Sequence, residues 1–377
     1  MNKNLHRIIF NAARGQRMVV AETATSLGKG RNAAAHAVVT ALAFASLFLL
    51  TPASAQIKAD PSAPAHQRPV ILAAPNGVPV INIQTPSAAG ISRNTYSQMD
   101  VARPGAILNN SRTNVQSQLG GFIQGNPYLA TGSARAILNE VNSANPTLLK
   151  GPVEVAGQKA DVIIANPAGI KIDGSTFINA ANVVLTTGTP QLSSQGSLES
   201  YRVQRGTVVI EGLGLDTRTA SYTDILARAI EVNAGLWADY LRVSGGAAEV
   251  NAADPSAASA KPLEGMGAKP KFMLDVAAIG GMYARHIYLV GSESGLGVSN
   301  HGIIGAAEAG NVVVLADGTL TNRGSIQAAG TVPEQGSIGG QGHRRAAQGL
   351  LLRDVGRRSG LQQCLLAGPM PLLKLFL

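Results

Sequence analysis

The sequence predicts an all-β protein whose body winds into a parallel β-helix, a stack of coils made of short strands. Between residues 56 and 340, short runs of β-branched residues are separated by Gly, Asn, Asp and Pro, the composition of strands and turns. The first four runs begin 21, 25 and 22 residues apart. They occupy residues 162–164, 183–185, 208–210 and 230–232. Spacings in the low twenties indicate a solenoid, because a coil of short strands buries its apolar face only against the next coil.

Later segments keep this pattern. Runs follow at 240–243, 287–290 and 312–315, and residues 298–303 resemble residues 320–325 at an offset of 22. A uniform repeat of this length would give about 13 coils and a rod on the order of 60 Å long. Strand alternation predicts that Val162 and Ile164 face inward. A β-sandwich also has short strands, with turns every ~8–12 residues, and is the alternative architecture.

The first part of the body is less regular. Residues 78–83 alternate in polarity like a half-buried strand, and segments 107–110 and 120–123 follow without a clear repeat. Because the open edges of a solenoid invite pairing with other chains unless they are covered, we expect an N-terminal cap in this region. Residues 133–142, SARAILNEVN, suit either a short helix or a strand.

The first 55 residues predict an export signal. A basic segment of 32 residues precedes the apolar stretch 33–50, and the small residues at 53–55 then form a cleavage pattern. We therefore place cleavage between Ala55 and Gln56. A transmembrane anchor is the alternative, since the 18 apolar residues are at the short end of a membrane span.

The positive charge lies at the two ends of the chain. The formal net charge is +9 at pH 7, and residues 1–55 and 341–377 each contribute +5. Residues 56–340 hold 19 Lys or Arg and 20 Asp or Glu, so the body is nearly neutral, which argues against nucleic acid as a partner. The only Cys is Cys364. A body without Cys is compatible with export through a pore in an unfolded state.

Several segments resemble a known family. The opening MNKNLHRIIFNAARGQRMVVAE resembles the extended signal-peptide region of very large proteins that Gram-negative bacteria secrete through type V routes. Residues 66–190 resemble the secretion domain of two-partner secretion proteins, the filamentous-hemagglutinin family. The segments that carry this resemblance are VPVINIQTPSAAGISRNTYSQMDV at 78–101, RPGAILNNS at 103–111, GGFIQGNPYL at 120–129 and ADVIIANPAGIKIDG at 160–174.

This resemblance implies a role in secretion. The Sec machinery would deliver the chain to the periplasm, and an outer-membrane β-barrel transporter with periplasmic docking domains would recognise it. The chain would then wind into a right-handed β-helix as a secreted or cell-surface protein. Family members are adhesins or contact-dependent growth-inhibition proteins, so a receptor on a host or neighbouring cell is a further expected partner.

Two Asn-Pro motifs are the candidate secretion residues. The family signatures N-P-N-L and N-P-N-G-I correspond here to Asn126, Pro127, Tyr128 and Leu129, and to Asn166, Pro167, Ala168, Gly169 and Ile170. Both motifs depart from the family at the second Asn, which is replaced by Tyr128 and Ala168. Since Pro fixes φ and Asn tolerates tight turns, each motif can be a turn between coils. Direct contact with the partner is the other interpretation, and the two are compatible.

β-Helices also host secreted enzymes that act on polysaccharides, which is the alternative function. Such enzymes need carboxylates that converge on one face of the fold. The candidates are Asp161, Asp173, Asp216, Asp224 and Asp239. They form no D-D or D-x-D cluster, and G-x-S-x-G, H-E-x-x-H and P-loop patterns are missing from the sequence. We therefore expect no catalytic residue, no cofactor and no metal site.

The pattern and the resemblance together predict five parts. These are an extended signal peptide at 1–55, a linker at 56–65, the two-partner secretion domain at 66–190, further β-helix coils at 191–340 and a tail at 341–377. The tail abandons the coil pattern for Arg, Leu and Gln, as expected of translation in a wrong frame, with a basic membrane-binding tail as the alternative. We expect a disordered tail on the N-terminal fragment of a larger exoprotein.

Overall fold

The computed structural model describes residues 57–254, 260–307 and 310–328, together with the backbone of three further strands. The chain divides into two compact units, Met1–Ser54 and Ala55–Leu377. In the first unit, β1 (His6–Asn11) pairs antiparallel with β2 (Gln16–Ala21). The apolar stretch 33–50 and the junction of Ala55 with Gln56 lie outside the described residues. Within the described part, no helix is long and apolar enough to span a membrane.

The second unit is a solenoid of three sheets, each built mainly from parallel strands. The first sheet contains β3 (Ile57–Ala59), β6 (Ile91–Met99), β10 (Ala136–Val141), β13 (Ala160–Ala165), β16 (Ala180–Thr186), β21 (Tyr222–Ala227), β24 (Tyr240–Gly245), β29 (His286–Gly291), β32 (Val312–Ala316) and β35 (Leu350–Asp354). The second contains β11 (Thr147–Leu149), β14 (Ile170–Ile172), β19 (Thr207–Ile210), β22 (Ala229–Val232), β27 (Phe272–Val276), β30 (Gly297–Asn300) and β33 (Leu320–Asn322).

The third sheet contains β4 (Val70–Ala73), β5 (Pro79–Asn82), β7 (Ala106–Asn110), β12 (Val153–Gly157), β15 (Ser175–Ile178), β20 (Leu215–Asp216), β23 (Gly235–Trp237), β28 (Gly281–Ala284), β31 (Ile303–Ala306) and β34 (Ser325–Ala328). Two short 3-10 helices lie at Ala65–Gln67 and Pro127–Leu129. The chain visits the three sheets in turn and each coil stacks on the one before it. This architecture confirms the prediction of an all-β parallel β-helix and excludes the β-sandwich.

The strand register confirms the repeat near the C-terminal end of the described coils. Val298 stands opposite Leu320, and Ser299 opposite Thr321, at the offset read from the sequence. Elsewhere the uniform repeat is wrong. Val183 pairs with Thr223 in the first sheet, whereas residues 208–210 belong to the second sheet, so the spacing between those two runs is not a coil step.

The coils are unequal because three insertions leave the solenoid. The first is the hairpin β8 (Val115–Ser117) and β9 (Gly121–Ile123). The other two pair with each other in a four-stranded antiparallel sheet, the outer sheet. One insertion supplies β17 (Thr189–Leu192) and β18 (Leu198–Val203), and the other supplies β25 (Ala248–Asn251) and β26 (Lys261–Pro262). These excursions use residues that would otherwise form coils. The described part of the first sheet therefore holds nine parallel strands, β6 to β35, and not about 13 coils.

The main core fills the interior of the solenoid. Val162 and Ile164 are fully buried there, as the alternation predicts. The residue between them, Ile163, points outward and is nevertheless only 4% exposed. It belongs to a second core between the first sheet and the outer sheet, to which Leu138, Tyr201 and Val250 also contribute.

The ends of the solenoid differ from its middle. At the N-terminal end, β3 pairs antiparallel with β6 and β4 pairs antiparallel with β5, so the parallel ladders begin at a cap, as expected. Residues 133–142 contribute the strand β10 and no helix. In the tail, β35 pairs in parallel with β32, where the sequence predicts no regular structure. The remainder of residues 341–377 lies outside the described residues.

Ile164→Ala should lower the free energy of unfolding by about 2–5 kcal/mol, because it opens a cavity in the main core. Urea unfolding followed by circular dichroism measures this change. Lys171→Ala is the control, since Lys171 is exposed on the neighbouring strand β14, and should change stability by no more than ~0.5 kcal/mol. Equal effects of the two substitutions would contradict the inward orientation of Ile164.

Candidate functional site

The two Asn-Pro motifs lie at different corners of the solenoid. Asn126 follows the hairpin β8–β9 and caps the 3-10 helix Pro127–Leu129. Asn166 lies between β13 of the first sheet and β14 of the second. Their geometry is nevertheless the same. The side-chain Oδ1 of each Asn accepts a hydrogen bond from the backbone N–H two residues later, at 3.0 Å from Tyr128 and 2.9 Å from Ala168.

The amide nitrogens tie these turns to the preceding chain. Nδ2 of Asn126 donates to the carbonyl oxygens of Ile83 at 2.8 Å and Asn109 at 3.0 Å. Nδ2 of Asn166 donates to the Asn145 carbonyl and to Oγ1 of Thr147, both at 3.0 Å. Asn126 is 2% exposed and Asn166 is fully buried. Both side chains therefore spend their hydrogen bonds inside the fold, as turn-forming residues do.

The remaining motif residues divide into buried and accessible positions. Leu129 and Ile170 enter the main core. Gly169 has φ of +121°, and a Cβ there would lie 2.9 Å from the Thr207 carbonyl oxygen, so glycine is required at this turn. The accessible motif residues are Pro127, which is exposed, and Tyr128, Pro167 and Ala168, which are half-buried.

The hairpin before the first motif presents a large exposed aromatic residue. Phe122 on β9 is 62% exposed, whereas its neighbour Ile123 is buried against the solenoid. The segment GGFIQGNPYL carries part of the family resemblance, but the sequence alone gives Phe122 no role. Phe122 lies four residues before Asn126 in the sequence, so we treat Phe122 and the accessible residues of this turn as one candidate contact region.

A buried carboxylate holds this hairpin in place. Glu154 on β12 is 3% exposed and accepts hydrogen bonds from Oγ of Ser117 at 2.7 Å and from the backbone N–H groups of Gln118 at 2.7 Å and Leu119 at 2.9 Å. Glu154 is not among the residues that the sequence predicts to be functional. The one sequence feature that points to it is its position as a single acidic residue inside the apolar run Val153 to Ala156.

The carboxylates considered for catalysis do not form one site. Four of them make ion pairs, namely Asp173 with Arg103, Asp216 with Arg218, Asp224 with Arg242 and Asp239 with Arg285. The fifth, Asp161, accepts a hydrogen bond from Nδ2 of Asn182 at 2.7 Å. Among the described residues, no group of three or more His, Cys, Asp or Glu is placed to hold a metal ion.

The environments of these carboxylates shift their pKa values in opposite directions. Burial raises the pKa of Asp161 above its ordinary value, and the hydrogen bond from Asn182 opposes this effect only in part. Hydrogen bonds from the Arg218 guanidinium lower the pKa of Asp216. Folding therefore favours the neutral form of Asp161 and the ionised form of Asp216.

Both units of the chain match known protein families. The family described as the TPS secretion domain matches residues 55–328, and the family described as the extended signal peptide of the type V secretion system matches residues 1–50. The crystal structure of a filamentous hemagglutinin secretion domain superimposes with a TM-score of 0.61 at 33% identity, covering 78% of this chain and 96% of that one.

Longer relatives match by sequence. The toxin CdiA of Yersinia pestis is 49% identical over 343 residues, which are 87% of this chain and 10% of that protein. The tRNA nuclease CdiA-2 of Burkholderia pseudomallei strain 1026b is 42% identical over 342 residues, 87% of this chain and 11% of that protein. The chain thus spans about a tenth of the length of these relatives.

Asn166→Ala should lower the free energy of unfolding by about 1–3 kcal/mol, because the Asn145 carbonyl, the Thr147 hydroxyl and the Ala168 N–H lose their buried partner. Thermal and urea unfolding of the purified chain measure this loss. Asn145→Ala is the matched control, since the Asn145 side chain is exposed in the same corner. If both variants unfold like the wild type, Asn166 does not support the turn.

Asp161→Asn should stabilise the protein at pH 7, because the raised pKa of Asp161 makes its ionised form unfavourable in the folded state. Neutral Asp161 contributes fully to the stability of the fold below the unfolded-state pKa of about 3.9. This contribution is lost as pH rises through the folded-state pKa and the carboxyl ionises. The advantage of the variant should therefore shrink as pH falls from 7 toward about 4. Urea unfolding across this range measures it.

Asp216→Asn is the control, because it should change the stability at pH 7 in the opposite direction. The lowered pKa of Asp216 means that its contribution is present at pH 7 and lost in acid, so this variant should be less stable than the wild type at pH 7. A difference between wild type and Asp161→Asn that stays constant with pH would show that burial does not raise the pKa of Asp161.

Proposed function

Because the chain belongs to the two-partner secretion family, with its TPS secretion domain, we propose that residues 66–190 carry the signal read by periplasmic docking domains of its outer-membrane transporter. The chain is a secreted exoprotein of the filamentous hemagglutinin and CdiA kind, exported across the Gram-negative outer membrane to the cell surface. The family implies an outer-membrane β-barrel partner, and the TPS secretion domain itself is non-catalytic.

The proposed route begins at the inner membrane. The Sec machinery moves the chain to the periplasm, and cleavage between Ala55 and Gln56 removes the leader. Residues 56–65 then lead from the new N-terminus into the secretion domain, with β3 already paired to β6 in the cap, and residues 191–328 add further coils. With no Cys between residues 56 and 340, no disulfide within this body has to be undone before the chain enters a pore.

The burial of Asn126 and Asn166 carries the proposal for the motifs. The amides of both asparagines have their hydrogen-bond partners inside the fold. Their proposed role is therefore to build the turns, and the neighbouring accessible side chains make the contact. Phe122, Pro127 and Tyr128 form this contact region, since an exposed aromatic residue with an apolar neighbour is typical of a protein-binding hot spot.

Folding outside the cell supplies the direction of export. Each coil that emerges adds strands to existing parallel ladders and buries its apolar residues in a continuous core. Apolar burial and ladder hydrogen bonds lower the free energy of the chain outside the cell. Folded coils also cannot pass back through a narrow pore, so export proceeds in one direction. The domain thus acts as the template on which later coils assemble.

The activity of a longer exoprotein lies outside this segment. The relatives are named as a toxin and a tRNA nuclease, but the chain covers only 10% and 11% of them. We propose that this chain is itself no enzyme and binds no nucleic acid, and that it presents an adhesin or a toxin carrier to a receptor on a host or neighbouring cell. A polysaccharide-acting enzyme is disfavoured, because four of the five candidate carboxylates are paired with arginines.

Phe122→Ala and Tyr128→Ala should each reduce release of the full chain into the medium by about tenfold, as loss of a hot-spot contact would. Both should leave the melting temperature of the purified chain close to that of the wild type. Release is measured by immunoblotting in strains with and without the transporter. Leu213→Ala is the control, because Leu213 is 65% exposed and lies outside the contact region.

Two outcomes would contradict the proposal. Equal release of the wild type from both strains would refute dependence on the partner. Normal release of both aromatic variants would refute the contact region while leaving the partner in place. Mass spectrometry of the released wild type should also show Gln56 as its first residue, and retention of residues 1–55 would indicate an anchor.

A further inference from the structure

The outer surface of the third sheet carries an aromatic pair that none of the functions above uses. Trp237 on β23 and Tyr283 on β28 occupy the same register position on adjacent coils. Their ring centroids are 6.1 Å apart and their planes differ by 16°. Trp237 is the only tryptophan of a chain with 4% aromatic residues.

The two rings lie down on the sheet. Each follows a glycine that faces outward two residues earlier, Gly235 before Trp237 and Gly281 before Tyr283. A Cβ at Gly235 would collide with the indole, and one at Gly281 would lie 2.5 Å from the Tyr283 hydroxyl. The rings therefore fill the space above these glycines, and both side chains stay partly accessible to solvent.

Hydrogen-bonding groups border the pair along the axis of the solenoid. On the N-terminal side, Asp216 stands next to Trp237 in register and forms a two-point ion pair with Arg218 at 3.0 and 2.6 Å. On the C-terminal side the same row continues through Gly305 to the exposed Gln327. The row carries no net charge, because the one carboxylate is matched by the one guanidinium.

Gly305 leaves an open position beside the pair. It has no positive φ, and a Cβ there would meet its nearest neighbour, Cδ1 of Tyr283, at 3.7 Å, an ordinary contact. Neither backbone conformation nor packing therefore requires glycine at this position. A cross-strand aromatic pair explains why Trp237 and Tyr283 lie side by side, but it does not explain the gap between Tyr283 and Gln327.

We propose that this row, the aromatic platform of Asp216, Trp237, Tyr283, Gly305 and Gln327, binds a neutral linear glycan laid along the solenoid axis. Flat rings accept the apolar faces of pyranose units, and the flanking carboxylate, guanidinium and amide groups suit their hydroxyls. The ring spacing of 6.1 Å is close to the length of one sugar in an extended chain. An anionic partner such as nucleic acid finds no unmatched cation in the row.

Tryptophan fluorescence of the full chain tests this directly, since the emission comes from Trp237 alone. The probes are cellohexaose, xylohexaose, mannohexaose and N-acetylchitohexaose, with polygalacturonate as the anionic comparison. At least one neutral hexamer should change the emission in a saturable way, and the anionic polymer should not. Absence of a saturable change with all four neutral hexamers at millimolar concentration would overturn the proposal.

Gly305→Gln separates binding from stability. It should weaken hexamer binding by about tenfold by filling the open position, and it should leave the melting temperature unchanged, because a Cβ there makes only ordinary contacts. Tyr283→Ala should weaken binding as well, and Glu231→Gln on the outside of the second sheet is the matched control. Unchanged binding by Gly305→Gln would contradict the proposed position of the glycan.

The test also distinguishes a protein occupant. If the emission changes to the same extent when the chain alone is concentrated, and sugar adds nothing, the platform is a contact between two copies and the glycan proposal is wrong. Release through the transporter should be normal for Gly305→Gln. Failure of the glycan proposal would therefore leave the secretion function untouched.

Discussion

The stacking of each coil on its neighbour is the constraint on which this structure depends. Strands of two or three residues, such as β20 and β23, have no stability of their own. They persist because parallel backbone hydrogen bonds join them to the coils on both sides and because their inward side chains share one continuous core. Inward side chains of successive coils pack closely, so a shift at one corner would displace the strands on both sides of it. The corners between strands must therefore be held as firmly as the strands themselves.

Buried asparagines perform that task at several corners. Asn126 and Asn166 close their turns with the side-chain oxygen and reach other parts of the chain with the side-chain nitrogen. A side chain that both donates and accepts can satisfy backbone groups that a corner would otherwise leave unpaired in the interior. The hydrogen bonds that form these turns also keep the side-chain amides of Asn126 and Asn166 buried. In the proposed function, recognition by a partner therefore falls to accessible residues near these turns.

The outer sheet and the hairpin show how a solenoid acquires separate surfaces. The outer sheet covers the first sheet and creates a second core around Ile163 and Tyr201. Hydrogen bonds to Glu154 hold the hairpin in place, and the hairpin exposes Phe122 to solvent. The third sheet, in the coils from β20 to β34, keeps an outer row with the Trp237–Tyr283 pair. Each face of the coil stack thus has a different chemistry, although the interior is uniform.

The fold class, the export signal and the family follow from the amino-acid sequence alone, because periodic apolar runs, a basic-apolar leader and long shared segments are local signals. It also identified the inward positions Val162 and Ile164 and the pairing of residues 298–300 with 320–322. Three features emerge only in the folded chain: the coils from which insertions leave, the burial of Ile163, and the hydrogen bonds by which Glu154 holds a hairpin. Those outcomes depend on residues far apart in sequence, such as Val183 and Thr223, meeting in space. A periodic pattern records the spacing of strands but not the path the chain takes between them.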